Sequence, residues 1–482
     1  MLAFLFSLPP LAQEPPLPPP RGVVLVLVDD LGWSDLGCCG SDGYRTPEID
    51  RLAAEGTRFT QAYASAAVCS PTRAAVQTGR APARLGITDW IHHASAEAAQ
   101  AVACGRHPEG LAPAPRGGRL LTPRNRVWLD HDEISLAELL APAGWRAGYV
   151  GKWHLGPAGW RPEDQGYAFN AGGCRFGQPP SYFDPFGNRR YPDGIPGLPG
   201  RTAGQYLAVR EADEALAFLA GCGDRPFLLL FAPYEVHAPL QAPAATIDLF
   251  RDLPPERRHH HPVYAAMVHE VDRAVGRVAG ELRRRGLLDA VLFIVTSDNG
   301  GATHFPATDN APLRRGKGFP YEGGLRVPLI VRWPGVARSG ATCPVPVIST
   351  DLFPTLAAAA GVPPPDDRAL DGRSLLPLLR GEEAGWTERP LVWHFPHYWA
   401  GTLVRPWSAI RRGRWKLIHW YEDDRDELYD LAADPGEHED RAAAEPERVA
   451  ALRAEMFRVL YDQGARFPAL DPAAAPPRRQ RD

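Results

Sequence analysis

The chain has 482 residues, 44% of them apolar and 23% charged, a globular composition that excludes the disordered and collagen-like classes. A formal net charge of −4 and a pI near 6.4 give no electrostatic footprint for nucleic acid. The length alone suggests about two to four domains.

Residues 1–13 form an apolar run too short to span a membrane, which takes about 20 residues. The run has the character of a secretory signal core with Ala12 at a cleavage position, although the usual basic start is missing. It predicts export to the periplasm or the exterior, with a cytoplasmic location left open. A Pro-rich spacer over 15–20 comes next, so residues 1–21 are set apart from the fold. Apolar, β-branched runs at 22–28, 146–150, 226–232, 290–296 and 326–333 predict strands. Helical patterns lie between them at 46–55, 134–141, 204–220 and 263–285. Such alternation predicts an α/β fold: a large, mostly parallel central sheet flanked by helices on both faces. The Pro/Gly-rich stretches 112–123 and 179–201 read as long surface loops around a site. Beyond residue 381 the pattern changes to strands over 389–395 and 408–421 and a helix over 446–461. The chain therefore divides into a domain over 22–385 and a smaller α+β subdomain over 386–482, ending in a Pro/Arg-rich tail. The seven cysteines show no CxxC pair or zinc spacing, so free thiols are expected.

The residues just past the strands carry the chemistry. The first strand ends in Asp29-Asp30, the second in Lys152-Trp-His154, the third in Tyr234-Glu-Val-His237 and the fourth in Asp298-Asn299. Ligands of open α/β sheets bind outside the carboxyl ends of the strands. Either acidic pair alone could be a turn or a helix cap. Together Asp29, Asp30, Asp298 and Asn299 form an all-oxygen set suited to Ca2+ or Mg2+ rather than zinc. Cys69-Ser-Pro-Thr-Arg73 reads as a helix start, with Gly79 as its stop. Arg73 is four residues after Cys69 and shares its helix face. A helix N-terminus attracts anions and predicts a reactive cysteine of depressed pKa. Only three of the 53 Lys plus Arg are lysines, namely Lys152, Lys317 and Lys416. Where Arg is the default cation, a remaining Lys marks a place that needs a compact ammonium. Lys416→Arg, distant in sequence from the predicted site, is expected to harm turnover much less than Lys152→Arg or Lys317→Arg.

These motifs resemble the sulfatase family of the alkaline phosphatase superfamily. Its signature Cys-x-Pro-x-Arg is met by Cys69, Pro71 and Arg73. Val28-Asp-Asp-Leu-Gly32, Gly151-Lys-Trp-His-Leu-Gly156, Ser297-Asp-Asn-Gly300, Gly316-Lys-Gly318 and Tyr321-Glu-Gly-Gly-Leu-Arg-Val-Pro328 are similar to further family motifs, in family order. The resemblance covers about residues 22–440. It implies an alkaline phosphatase-like fold and a sulfuric ester hydrolase of arylsulfatase type. It further implies that Cys69 is oxidised to formylglycine by a formylglycine-generating enzyme. Asp29, Asp30, Asp298, Asn299 and the modified Cys69 would hold Ca2+, while Arg73, Lys152 and Lys317 clamp the sulfate. His237, with Lys317, would protonate the leaving alcohol. His154 would deprotonate the second hydroxyl of the aldehyde hydrate and expel sulfate. A sulfated glycan is the expected substrate, with Asp89, Trp90, His92, His93, His304 and the aromatic stretch 393–407 as pocket walls. The rival readings are a phosphonate monoester or phosphodiester hydrolase and a non-catalytic sulfoglycan-binding protein.

Overall fold

Successive side chains of a strand face opposite sides of its sheet, and the first strand, β1 (Gly22–Val28), is apolar on both. Val24, Val26 and Val28 enter one core with Ala212, Val271 and Val278, while Val23, Leu25 and Leu27 enter another with Val76, Leu140 and Leu356. The computed structural model describes residues 19–474 except 116–117, 255, 258, 305–306, 400–401 and 403. The expected signal core, most of the Pro-rich spacer and the end of the tail lie outside the described residues. Among those described, no helix is long and apolar enough to cross a membrane.

The central sheet has nine strands. After β1 come β2 (Thr57–Tyr63), β3 (Arg146–Gly151), β4 (Phe169–Ala171), β5 (Phe227–Ala232), β6 (Val291–Ser297), β7 (Arg326–Arg332), β8 (Ala341–Cys343) and β9 (Val347–Ile348). Their order is β8-β2-β7-β6-β1-β5-β3-β4, with β9 also beside β2. Pairing is parallel except that β7 runs against both β2 and β6. Helices Leu207–Ala220 and Pro262–Arg284 cover one face, and Cys69–Thr78 and Leu352–Ala359 the other. The fold is thus α/β with a mostly parallel sheet buried on both faces, as predicted. The sequence reading missed β2. Its polar Arg58, Thr60 and Gln61 and a register shift between Phe59 and Ala62 break the alternation that marks a strand.

Register sets the site. Val28 pairs with Ser297 and Gly151 with Ala232, so the strands carrying the motif residues end together. Reversal of β7 brings Lys317, which precedes its strand, to the edge reached by residues that come after theirs.

The smaller subdomain is built on a four-stranded antiparallel sheet of β10 (Leu391–Phe395), β11 (Trp407–Arg412), β12 (Trp415–Trp420) and β13 (Arg425–Asp430). The stretch predicted as one strand over 408–421 is the hairpin of β11 and β12. Helix Pro446–Asp462 packs Leu452, Met456 and Leu460 on Ile410, Leu417 and Leu428. The other face, with Trp407, Ile418 and Tyr429, packs on Tyr63, Val68 and Tyr321 at the entry to the Cys69 helix. Lys416 belongs to this junction and is fully buried. Its Nζ lies 3.0 Å from Glu322 Oε1 and 2.9 Å from Glu437 Oε1. Two buried carboxylates thus share this ammonium, a structural role that the sequence did not reveal.

Candidate active site

Backbone hydrogen bonds hold the strand ends in place. Asp298 N donates to Val28 O at 3.1 Å, Lys152 N to Ala232 O at 2.7 Å and Asp29 N to Glu235 O at 3.0 Å. Helix Cys69–Thr78 starts beside them and ends at Gly79, whose φ of 68° places it in the left-handed region open to glycine. One oxygen each from Asp29, Asp30 and Asp298 and the Cys69 Sγ lie within 4.8 Å of one another. Three cations surround them. Lys152 Nζ is 2.6 Å from Asp29 Oδ2, and Lys317 Nζ is 2.6 Å from Asp30 Oδ1. Arg73 Nη2 is 2.7 Å from Asp298 Oδ2, and its Nη1 donates to the Lys152 carbonyl at 2.7 Å.

Two oxygens stand out. Asp30 Oδ2 and Asn299 Oδ1 are buried, and no hydrogen-bond donor reaches either one. A buried acceptor without a partner is costly, and a hard divalent cation bound through oxygen would satisfy both. The donor set therefore fits Ca2+ or Mg2+. Asp30 (φ 60°) and His154 (φ 59°) adopt the left-handed region, at a cost of order 1–3 kcal/mol each, a strain that clusters at working sites.

The electrostatics arise from burial. Burial pushes the Asp29 carboxyl up to about 7 against the pull of Lys152, with Asp298 and Asp30 adding to the rise. Asp30 is also buried, yet Lys317 and His237 hold it below the usual carboxylate range. Burial, then Lys317, holds His237 down to about 3. Its Nδ1 is 2.9 Å from the Ala238 carbonyl, which only accepts, so Nδ1 carries the hydrogen and Nε2 the lone pair. Burial and Lys152 keep His154 neutral, its pKa well below the usual imidazole value. His154 Nε2 faces the Ile91 carbonyl at 3.1 Å, which leaves the lone pair on Nδ1. The Cys69 thiol contradicts the sequence expectation. Burial pushes it up to about 12 despite the pull of Lys152 and Lys317, with Asp298 and Asp29 adding to the rise.

The sequence profile described as Sulfatase matches residues 21–362. The chain belongs to the sulfatase family. A second profile, described as N-sulphoglucosamine sulphohydrolase, C-terminal, matches residues 315–464. Human (Homo sapiens) arylsulfatase A is 33% identical, over 93% of this chain and 89% of its own length. The N-acetylgalactosamine-6-sulfatase of Sus scrofa is also 33% identical, over 94% of this chain and 82% of its own. The solved structure of Ps i-CgsB in complex with k-i-k-neocarrahexaose superposes with a TM-score of 0.75 at 28% identity, covering 92% of this chain and 94% of that one. This sulfatase is a sulfuric ester hydrolase, as its relatives are.

A cleft of about 580 Å³ opens over the cluster of this sulfatase. Trp90, His92, His93, His154, His237, His304, Lys317 and Trp399 all line it. Asp89 does not: its carboxylate accepts from Trp90 N at 2.8 Å and supports the turn behind the wall. The aromatic stretch 393–407 divides. Trp393 and Trp407 are core, whereas Trp399 covers Gly318, where a Cβ would come within 2.2 Å of its ring. Sequence reasoning missed Phe176, Gly177, Arg190 and Tyr191, which line the same cleft. The Pro/Gly-rich loop over 179–201 was the one signal for Arg190 and Tyr191, and Phe176 and Gly177 come just before it. Gly177 makes room for the His154 imidazole, because a Cβ there would lie 2.6 Å from His154 Cε1. All seven cysteines are free thiols.

Proposed function

We propose that this sulfatase hydrolyses a sulfate ester of a sulfated carbohydrate, with aryl sulfates as artificial substrates, through a formylglycine derived from Cys69. The observation that carries the reading is the cluster of three carboxylates and Cys69 Sγ within 4.8 Å, ringed by Arg73, Lys152 and Lys317. Asp29, Asp30, Asp298, Asn299 and the modified Cys69 side chain would hold Ca2+, which supplies positive charge against the sulfate oxygens. The formylglycine hydrate supplies one hydroxyl to attack sulfur and a second whose proton can be removed to release sulfate.

The side chains divide the remaining work. Arg73, Lys152 and Lys317 orient the sulfate and offset the charge gathering on its oxygens. His154, neutral with its lone pair on Nδ1, accepts the proton of the second hydroxyl there. His237 with Lys317 serves the leaving oxygen. The anionic substrate raises the pKa of His237 from its depressed value, so protonation at Nε2 belongs to the loaded site. Carbohydrate is favoured by the relatives' names and by the aromatic walls at Trp90 and Trp399, since ring faces suit sugar faces. Residues 22–385 form the catalytic domain and 386–482 the smaller subdomain. The formylglycine-generating enzyme is the maturation partner, and the protein is exported.

A phosphonate monoester or phosphodiester hydrolase is the rival within the same architecture. Side-by-side turnover of 4-nitrophenyl sulfate and 4-nitrophenyl phenylphosphonate tests the choice. The sulfate is expected to be the better substrate by kcat/KM. Faster turnover of the phosphonate ester would overturn the reading, and turnover of neither would favour a binding protein.

A further inference from the structure

From His154 a line of rings leads out of the reaction centre. His93 lies 6.2 Å from His154, Phe176 5.7 Å from His93 and Tyr191 4.9 Å from Phe176, between ring centroids. Two guanidinium groups flank the outer rings. Arg175 Cζ is 6.0 Å from the Phe176 centroid, and Arg190 Cζ is 5.3 Å from that of Tyr191.

Both arginines are exposed, and among the described residues neither has a carboxylate partner. Other arginines of this region are paired, Arg161 with Glu163 and Arg201 and Arg210 with Glu214. Among the described residues Asp30 is the one carboxylate lining the cleft, and Lys317 already pairs with it. Arg190 lines the cleft, and Arg175 adjoins the lining residue Phe176. Burial, and next Arg175, holds His93 down to about 4, with Arg190 contributing as well. Both guanidinium fields thus converge on the ring between them and the reaction centre.

The two positions are built rather than loose. Asn188 Oδ1 accepts from Arg190 N at 2.9 Å and Tyr191 N at 3.0 Å, while its Nδ2 donates to Pro180 O at 3.0 Å. Arg175 comes directly after Cys174, whose carbonyl accepts from His154 N at 3.0 Å. Its backbone is tied to that of His154.

The reacting sulfate already has Arg73, Lys152 and Lys317 beside the cluster. Arg175 and Arg190 flank the two outer rings and would meet a different part of a larger substrate. We propose that they form a second anion subsite, taking a carboxylate or second sulfate of the sulfated saccharide whose other sulfate is hydrolysed. Guanidinium suits this task, since its planar fork matches the oxygens of either group. The inference rests on the carbohydrate sulfatase reading above and narrows its substrate class to saccharides carrying at least two anionic groups.

The test is calorimetric titration of the full-length protein with three synthetic disaccharides. One carries a single sulfate, one adds a second sulfate and one adds a uronate carboxylate instead. The unaltered protein should prefer a doubly anionic ligand over the monosulfate by about 10-fold or more, the scale of one charge-assisted contact. In Arg190→Gln and Arg175→Gln that ratio should fall severalfold. In Arg225→Gln, an exposed arginine outside the cleft, it should hold. Whichever ligand shows the preference identifies the group as sulfate or carboxylate. An equal ratio in all four proteins, or no preference in the unaltered one, would overturn the subsite. The titrations use protein produced without the formylglycine-generating enzyme, so the ligands are not consumed, and turnover of 4-nitrophenyl sulfate by the matured protein reports separately on the sulfatase reading.

Discussion

Glycine at position 177 governs where an imidazole can stand. A methyl group there would fall 2.6 Å from His154 Cε1 and 2.7 Å from Nε2, closer than any relaxed contact, so the ring has to move. Gly177→Ala is expected to lower kcat by on the order of 10²-fold, as displacement of a general base does, while far-ultraviolet circular dichroism stays unchanged. Wild-type kcat would show that the ring position is not used. The lysines make a second case at this scale. Lys152 is fully buried and Lys317 is 6% exposed, and each ammonium sits 2.6 Å from its carboxylate. Arg would bring a wider, planar head to a place where a compact ammonium meets its carboxylate. Lys152→Arg and Lys317→Arg should each lose on the order of 10²-fold in kcat with 4-nitrophenyl sulfate. Near-wild-type turnover of both would remove the sulfate-clamp assignment.

At the scale of elements, the second sheet is fastened to the ends of β2 and β7 by buried polar groups. Glu322 accepts from Tyr63 Oη at 2.6 Å and pairs with Lys416 and Arg326. Glu437, pushed up to about 7 by burial against the pull of Lys416, accepts from Glu322 N at 2.7 Å. Lys416→Met would leave two buried carboxylates facing each other, at a cost of about 3–5 kcal/mol. Even Lys416→Arg should cost about 1–3 kcal/mol through overpacking. Urea denaturation checks both, and an unchanged midpoint for Lys416→Met would contradict this account. The same sheet carries an acid-sensitive pair. Burial holds His394 down to about 4, and burial with His394 and Arg466 holds His397 down to about 3. The unfolded chain protonates both below about pH 6.5, whereas the fold takes up no proton there until it is far more acidic. Their stabilising contribution is fully present above about pH 6.5 and is lost as pH falls toward 4. Each contributes a slope of about 1.4 kcal/mol per pH unit. His397→Gln can keep the hydrogen bond to Thr88 Oγ1, and its urea midpoint should fall less between pH 7 and pH 5 than that of the wild type. Parallel falls would place the acid sensitivity elsewhere.

Across the whole molecule, local pattern revealed what local chemistry dictates. The strand ends at Asp29, Lys152 and Asp298 come after unbroken apolar runs, and periodicity alone brings them to one edge. The role of β7 was hidden, because a reversed strand has the same apolar run as a parallel one. The structural role of Lys416 was hidden because its partners, Glu322 and Glu437, lie far away in sequence. The outer cleft wall at Phe176, Arg190 and Tyr191 was hidden for a related reason: a loop's path is set by tertiary contacts such as those of Asn188. The Cys69 thiol was misjudged because sequence shows the helix end but not the depth of burial. Calcium should also act on the whole fold, since a ligand bound only by the native state raises stability. Chelation should lower Tm by several degrees and abolish turnover, and calcium should restore both. Zinc at the site, or full activity after chelation, would refute the oxygen-ligand assignment. The central claim concerns the nucleophile, and mass spectrometry of the peptide containing Cys69 tests it most directly. In protein produced with a formylglycine-generating enzyme, the aldehyde fraction at Cys69 should rise in proportion to 4-nitrophenyl sulfate turnover. A preparation that turns over fully while Cys69 remains an unmodified cysteine would contradict the account.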